Sequence, residues 1–196
     1  MNDTAKINDI LPERIVLDNS LKSMPIKEGI ANLSSLLYLN PENRDMCIAL
    51  GLAVIKAGSS EAGIIILLQT VDRLIYHGRI LESLAVIQHG QQLLPKNQLF
   101  LDKLQDIHDI AIRAKKGDFK PELQTTKPLS DKEILDVNIV NDLNEDDLFR
   151  YAVTIVKAMP VCGDPAIPLP VPLLTELDHN IFMLIFNNLK YHRVPK

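Results

Sequence analysis

The 196-residue sequence predicts an all-α protein built as a stack of helical hairpins. Between residues 25 and 116, apolar residues recur at spacings of three and four, which is the period of an amphipathic helix. Prolines and glycines interrupt the pattern at short intervals, and connections this short force neighbouring helices to run antiparallel. No segment of this range shows the two-residue alternation of a half-buried strand.

Five helices are predicted in this range, after a polar extension at residues 1–24 that is either a loose lead or a short docking helix. The first helix ends before Pro41, because the residue preceding a proline is disfavoured in the helical region. The second ends near Gly58. Ser59 or Ser60 can then cap the third helix.

The third helix is predicted to run to about Tyr76. It is apolar nearly all round at residues 64–68, so we expect it to be buried on more than one side. Gly78 breaks it, and a fourth helix covers about residues 81–94 before a proline stops it. The fifth ends near Gly117.

Composition and charge exclude several classes of protein. The formal net charge is −4, which disfavours binding to nucleic acid or anionic lipid. The longest apolar stretches, residues 47–55 and 64–68, are far shorter than the roughly 18 residues that a membrane span needs. Cys47 and Cys162 show no metal-ligand spacing. The first residues lead into no apolar stretch typical of a secretory signal, so we expect a cytoplasmic protein.

One segment, residues 64–97, resembles a tetratricopeptide unit, a helical hairpin of about 34 residues. Gly78 falls at its turn, Ser83 and Gly90 fall where the two helices approach closely, and Pro95 closes the unit. Weaker partial copies precede it, and their phase is irregular. The resemblance therefore implies a tetratricopeptide-like domain over residues 25–116 rather than a regular array.

Residues 117–172 are predicted to be a linker that contains one helix. The first part is polar, with a short extended piece expected at residues 131–140. Asn144 and the acids after it begin a helix over about residues 145–159, because acids favour the positive end of the helix dipole. Residues 160–172 contain five prolines and are typical of a stiff connector.

A short amphipathic helix is predicted within residues 173–196, with Asp178 as its cap. Phe182, Phe186 and Leu189 form its apolar face. A stiff connector separates this tail from the stack, so we expect few contacts between them. The three apolar side chains are then expected to be poorly held and exposed, as an aggregation liability.

The tail also resembles the beginning of a known domain. After the short helix, Tyr191 to Pro195 alternate like the start of a strand. The segment IPLPVPLLTELDHNIFMLIFNNLKYHRVPK, residues 167–196, resembles the start of a cyclic nucleotide-binding domain of the catabolite-activator type. In that family a Pro-Leu segment and a short helix lead into a β-roll. Helical repeats ahead of such a domain resemble an arrangement found in bacterial sensor proteins.

The resemblance implies that a β-roll after Lys196 would bind cyclic AMP or cyclic GMP. The family's phosphate-binding cassette, with its Gly-Glu and Arg-Ala elements, matches no residue of this chain. No nucleotide-contacting residue is therefore assigned, no cofactor is expected here, and the chain is expected to be a partial one.

Other patterns favour structural roles over chemistry. The five histidines lack metal-ligand spacing, and no Gly-x-Ser-x-Gly elbow supports a hydrolytic triad. Glycine-rich phosphate loops are absent from the sequence. The acids between Asp142 and Asp147 lack the ordered spacing of a calcium loop and suit helix capping. Arg113, Lys115 and Lys116 suit a helix C-terminus. We expect no enzyme.

The concave face of the predicted repeat is the candidate partner-binding surface. On the tetratricopeptide register it carries Ile65, Leu68, Asp72, Ile75 and Tyr76. Apolar residues there can grip a partner helix or an extended peptide. Neighbouring helices, including the one at 145–159, can equally cover them, and the sequence leaves both alternatives open.

The expected function is therefore non-enzymatic: the helical-repeat part of a bacterial cyclic nucleotide-responsive regulator that docks protein partners. A stand-alone tetratricopeptide-like adaptor is the main alternative, and an enzyme of unrecognised type is the third.

Overall fold

The structure is a computed structural model that describes residues 25–39, 43–117, 134–135, 137–158 and 176–191. Within those ranges it contains α-helices and no strand, which confirms the predicted all-α class. In chain order they are α1 (Ile26–Leu39), α2 (Arg44–Lys56), α3 (Ser60–Tyr76), α4 (Ile80–Leu93), α5 (Gln98–Lys115), α6 (Val137–Asp142), α7 (Glu145–Ala158) and α8 (Glu176–Tyr191). The first five match the five predicted helices closely.

Asparagine side chains cap the starts of α2 and α5, and a third asparagine caps α7. The Oδ1 atom of Asn43 accepts a hydrogen bond from the main-chain N–H of Met46 at 3.1 Å, and that of Asn97 accepts one from Leu99 at 3.1 Å. Both satisfy backbone donors that have no partner within the helix. Ser59 occupies the position before α3, but its side chain makes no capping hydrogen bond.

Glycines end α3 and α5, as predicted. Gly78 has φ of 73° and Gly117 has φ of 74°, a backbone conformation that a β-carbon disfavours. The main-chain N–H of Arg79 donates back to the carbonyl of Leu74 at 2.7 Å, so the turn satisfies a carbonyl at the end of α3.

Helix α3 lies at the centre and packs against α2, α4, α5 and α7. Its Leu67 and Val71 face one side, and Ile66 faces the other, all fully buried. The prediction that this helix is buried on more than one side is confirmed.

The apolar side chains form two core clusters, one on each side of α3. The first core cluster joins α3, α4, α5 and α8 and includes Leu67, Val71, Leu84, Ile87, Phe100, Leu104, Ile107 and Phe182. The second core cluster joins α1, α2, α3 and α7 and includes Ile30, Leu33, Leu37, Leu50, Val54, Ile66, Leu148, Ala152 and Val156. Their members are mainly aliphatic.

Helices α2 and α3 approach closely at two glycines. A β-carbon added at Gly63 would lie 2.7 Å from the carbonyl oxygen of Gly51 and 3.0 Å from the main-chain nitrogen of Ile55. Both are backbone atoms, which cannot move aside as a side chain can. Glycine at 63 therefore sets the distance between the two helices.

Gly90 on α4 lies against the ring of Phe100 on α5. A β-carbon at Gly90 would come within 2.7 Å of the Cε2 atom of Phe100, a fully buried ring. We therefore expect Gly90→Leu to lower the free energy of unfolding by about 1–3 kcal/mol, measured by urea denaturation. Gln92→Leu on the exposed side of the same helix is the control. Equal stability of Gly90→Leu and the wild type would contradict this packing.

The prediction of an extended segment at residues 131–140 is wrong for residues 137–140. Val137–Asp142 form the short helix α6, which packs against α1. Val140 is fully buried in the second core cluster. Burial of this valine against α1 outweighs the weak strand preference of the local sequence.

Helix α7 confirms the helix predicted over 145–159. The Oδ1 atom of Asn144 accepts a hydrogen bond from the main-chain N–H of Asp147 at 2.9 Å, so Asn144 caps the helix as expected. The helix does not stand apart as a linker element. It packs against α1 and α3 and supplies Leu148 and Ile155 to the second core cluster.

The boundaries of α8 differ from the prediction. The helix begins at Glu176, so Asp178 lies inside its first turn rather than at the cap. Tyr191 is the last residue of the helix and not the start of a strand. The expectations for residues 1–24, 160–172 and 192–195 lie outside the described residues.

Candidate functional site

Helix α8 docks against α4 and α5, contrary to the expected free tail. Phe182, Phe186 and Leu189 are 0%, 4% and 8% exposed and belong to the first core cluster. The expectation that these side chains form an exposed patch is therefore wrong. The physical reason is that α4 and α5 offer an apolar surface, and α8 covers it.

An aromatic stack holds the docked helix. The ring of His108 on α5 lies over that of Phe186, with centroids 4.5 Å apart and planes 24° apart. Phe182 continues the stack at 6.0 Å from Phe186. On the solvent side, the Nζ atom of Lys190 lies 5.3 Å from the centroid of Phe186, where an ammonium group is attracted by the ring.

His179 lies at the other end of this stack. Its ring is 6.4 Å from that of Phe182, and its Nδ1 atom is buried without a hydrogen-bond partner. Burial lowers the pKa of His179, and the nearby positive charge of Lys115 lowers it further. The docked arrangement therefore favours the neutral imidazole.

We expect the docking of α8 to weaken as the pH falls. Because the pKa of His179 is lowered in the folded protein, the unfolded state binds more protons below the ordinary value of 6.5. The contribution of neutral His179 to the free energy of unfolding is complete above pH 6.5. It is lost as the pH falls below 6.5 toward the lowered pKa of the folded protein. Urea denaturation between about pH 5.5 and pH 7.5 measures the effect. His179→Gln should remove this component, and an unchanged pH dependence in that variant would contradict the assignment.

A groove lies between the start of α3 and helix α7. Its volume is about 290 Å³. Ala62, Ile65, Phe149 and Val153 supply its apolar surface, whereas Ser59, Glu61, Asp146 and Arg150 supply polar groups. Two acids and one arginine give these lining residues a net negative charge.

The five residues predicted for a concave face do not share one open surface. Ile65 lines the groove, and Leu68 packs half-buried against the first core cluster. Asp72 forms an ion pair with Lys103 of α5. Ile75 and Tyr76 are buried. Of the two alternatives left open by the sequence, cover by neighbouring helices describes most of this set.

Arg73 joins α3 to the end of α7. Its Nη2 atom donates a hydrogen bond to the carbonyl oxygen of Val156, in the last turn of α7. Carbonyls in a last turn have no partner within their own helix, so the guanidinium stabilises that end. No local sequence pattern indicates this contact, which helps to position the α7 wall of the groove.

The thiol of Cys47 is buried near Arg73 of α3. Burial raises the pKa of Cys47, and this effect outweighs the lowering by the positive charge of Arg73. Cys47 is therefore held as a protonated thiol, which is a poor nucleophile and a poor metal ligand.

In the described ranges, no group of three or more histidine, cysteine, aspartate or glutamate side chains is placed to hold a metal ion. Among the helices in those ranges, none combines the length and apolarity that crossing a membrane requires.

Comparison with known proteins gives no relative: no family model, no curated protein and no solved structure matches the chain.

Proposed function

We propose that the chain is a non-enzymatic regulatory protein, the helical-repeat part of a cytoplasmic bacterial sensor that responds to a cyclic nucleotide and docks a protein partner. Its helices α1–α5 act as a tetratricopeptide-like stack, and a β-roll after Lys196 binds cyclic AMP or cyclic GMP. Nucleic acid and membranes are not partners of this part.

The packing of α8 on α4 and α5 is the observation that carries the proposal. Helix α8 lies in the segment that resembles the start of a cyclic nucleotide-binding domain, and its Phe182 shares a core cluster with Leu84 and Ile107. Close-packed side chains transmit displacement because they have no free volume to absorb it. A shift of α8 on nucleotide binding therefore reaches α4 and α5 directly.

The groove between α3 and α7 is the partner site in this proposal. Its volume of about 290 Å³ suits a few apolar side chains of a peptide rather than an enclosed small molecule. Ile65 and Phe149 receive those side chains, and the acids Glu61 and Asp146 favour a basic group beside them.

Calorimetric titration with cyclic AMP and cyclic GMP tests the nucleotide part. The 196-residue chain is expected to bind neither, because it has no residues that match the family's phosphate-binding cassette. The same chain extended by its natural downstream coding sequence is expected to bind one of them with micromolar affinity. Micromolar binding by the short chain, or none by an extended chain that carries an intact β-roll, contradicts the proposal.

A stand-alone adaptor is the second candidate, favoured by the groove because that site needs no other domain. The coding sequence directly after Lys196 separates the two candidates. A β-roll sequence there supports the sensor, and a stop codon supports the adaptor.

A further inference from the structure

Helix α8 has a second apolar face, which points away from the core. Ile181 and Leu184 are 40% and 65% exposed. Around the helix, Leu184 lies about 160° from Phe186 and Ile181 about 100° from Phe182, so both lie away from the side that docks on α5. We call Ile181, Leu184 and the exposed Asn188 the outward face of α8.

The spacing of the outward face follows the heptad pattern of a two-stranded coiled coil. Ile181 and Asn188 are seven residues apart and take position a, and Leu184 takes position d between them. In the sequence, Leu177 and Tyr191 fall at the preceding and following d positions. Isoleucine at a with leucine at d favours parallel dimers, and a single asparagine at a fixes register and the two-stranded state.

The residues at the flanking g positions are compatible with an identical partner. The flanking g positions hold Asn180 and Asn187, both exposed and uncharged. Two copies can therefore approach without repulsion between like charges at these positions. A strongly acidic or basic partner would find no complementary charge on the outward face.

We propose that two copies of this chain associate in parallel through the outward face of α8. The Asn188 side chains meet across the two-fold axis, where each amide can hydrogen-bond the other. Ile181 and Leu184 become buried against the same two residues of the second copy. The outward face spans about one heptad and buries less surface than a standard stable interface, so we expect a weak dimer that forms at high protein concentration. This proposal does not depend on the proposed function.

Sedimentation equilibrium tests it on the whole chain, at protein concentrations up to about 1 mM. The wild type is expected to show a monomer–dimer equilibrium. Leu184→Glu is expected to weaken association by about 100-fold or more, because two leucines lose their burial and two acids face each other. Leu99→Glu is the matched control, since Leu99 is an exposed leucine on α5. A wild type that stays monomeric, or equal weakening by the control, overturns the proposal.

Asn188→Ile provides a test in the opposite direction. Replacing the polar a-position residue by isoleucine is expected to tighten association at least about tenfold and to allow trimers. Circular dichroism should show unchanged helix content in both α8 variants, because both positions are exposed in the monomer. If association does not change in Asn188→Ile, the parallel pairing at this residue is wrong.

Discussion

Replacing Phe182 by alanine is expected to release α8 from the helical stack. The ring is fully buried, stacks between His179 and Phe186, and contacts α5 through His108. Removing a buried phenylalanine side chain lowers the free energy of unfolding by about 3–5 kcal/mol. We expect this loss to exceed the free energy that holds the single helix α8 on the stack. An isolated helix of this length is marginal in water, so the released α8 also loses helix content.

Urea denaturation followed by circular dichroism measures the effect of Phe182→Ala. We expect an early transition of small amplitude for α8, ahead of the main transition of the stack. Leu184→Ala on the exposed side of the same helix is the control, measured in dilute protein. It should change stability by less than about 0.5 kcal/mol. If the two variants have the same profile, α8 does not depend on Phe182.

Replacing Gly63 by valine is expected to destabilise the packing of α2 on α3 strongly. Its β-carbon would overlap the carbonyl oxygen of Gly51, and the two branches of valine would extend toward Ile55. The helices can accommodate it only by moving apart, which loosens both core clusters beside α3. We expect the free energy of unfolding to fall by about 3 kcal/mol, the upper part of the usual range for overpacking.

Ala85→Val is the control for Gly63→Val, because Ala85 is exposed on α4. A valine there changes only the helix propensity, by a few tenths to about 0.7 kcal/mol. Both variants are compared by thermal and urea unfolding. A Gly63→Val protein as stable as Ala85→Val would contradict the close crossing of α2 and α3.

The helices of the stack could be predicted because local signals and packing agree there. Proline and glycine mark the ends of α2, α3 and α4, and the spacing of apolar residues matches the faces that become buried. The continuous apolar run at 64–68 correctly indicated a helix that is buried on more than one side. Ser59 shows the limit of such signals, since it stands at the right position without making the expected hydrogen bond.

The docking of α8 could not be predicted from the tail alone. The prolines before it suggested isolation from the stack, so its apolar face was expected to be exposed. The surface that receives it includes His108 of α5, whose ring stacks on Phe186. A long-range contact of this kind depends on two surfaces at once, and neither sequence segment specifies the other.

The candidate groove was only partly predictable for the same reason. Ile65 was identified from the repeat register, whereas Phe149 and Val153 come from a helix that the sequence placed in a linker. The contact of Arg73 with the carbonyl of Val156 joins residues far apart in the chain, and no local sequence pattern predicts it.

Hydrogen exchange of the α8 amides is the most direct test of the central claim, that α8 and the helical stack form one folded unit. In the 196-residue chain, we expect the amides of residues 182–189 to be protected together with the central amides of α5. Exchange of α8 at the rate of an unfolded peptide, while α5 remains protected, would contradict the claim.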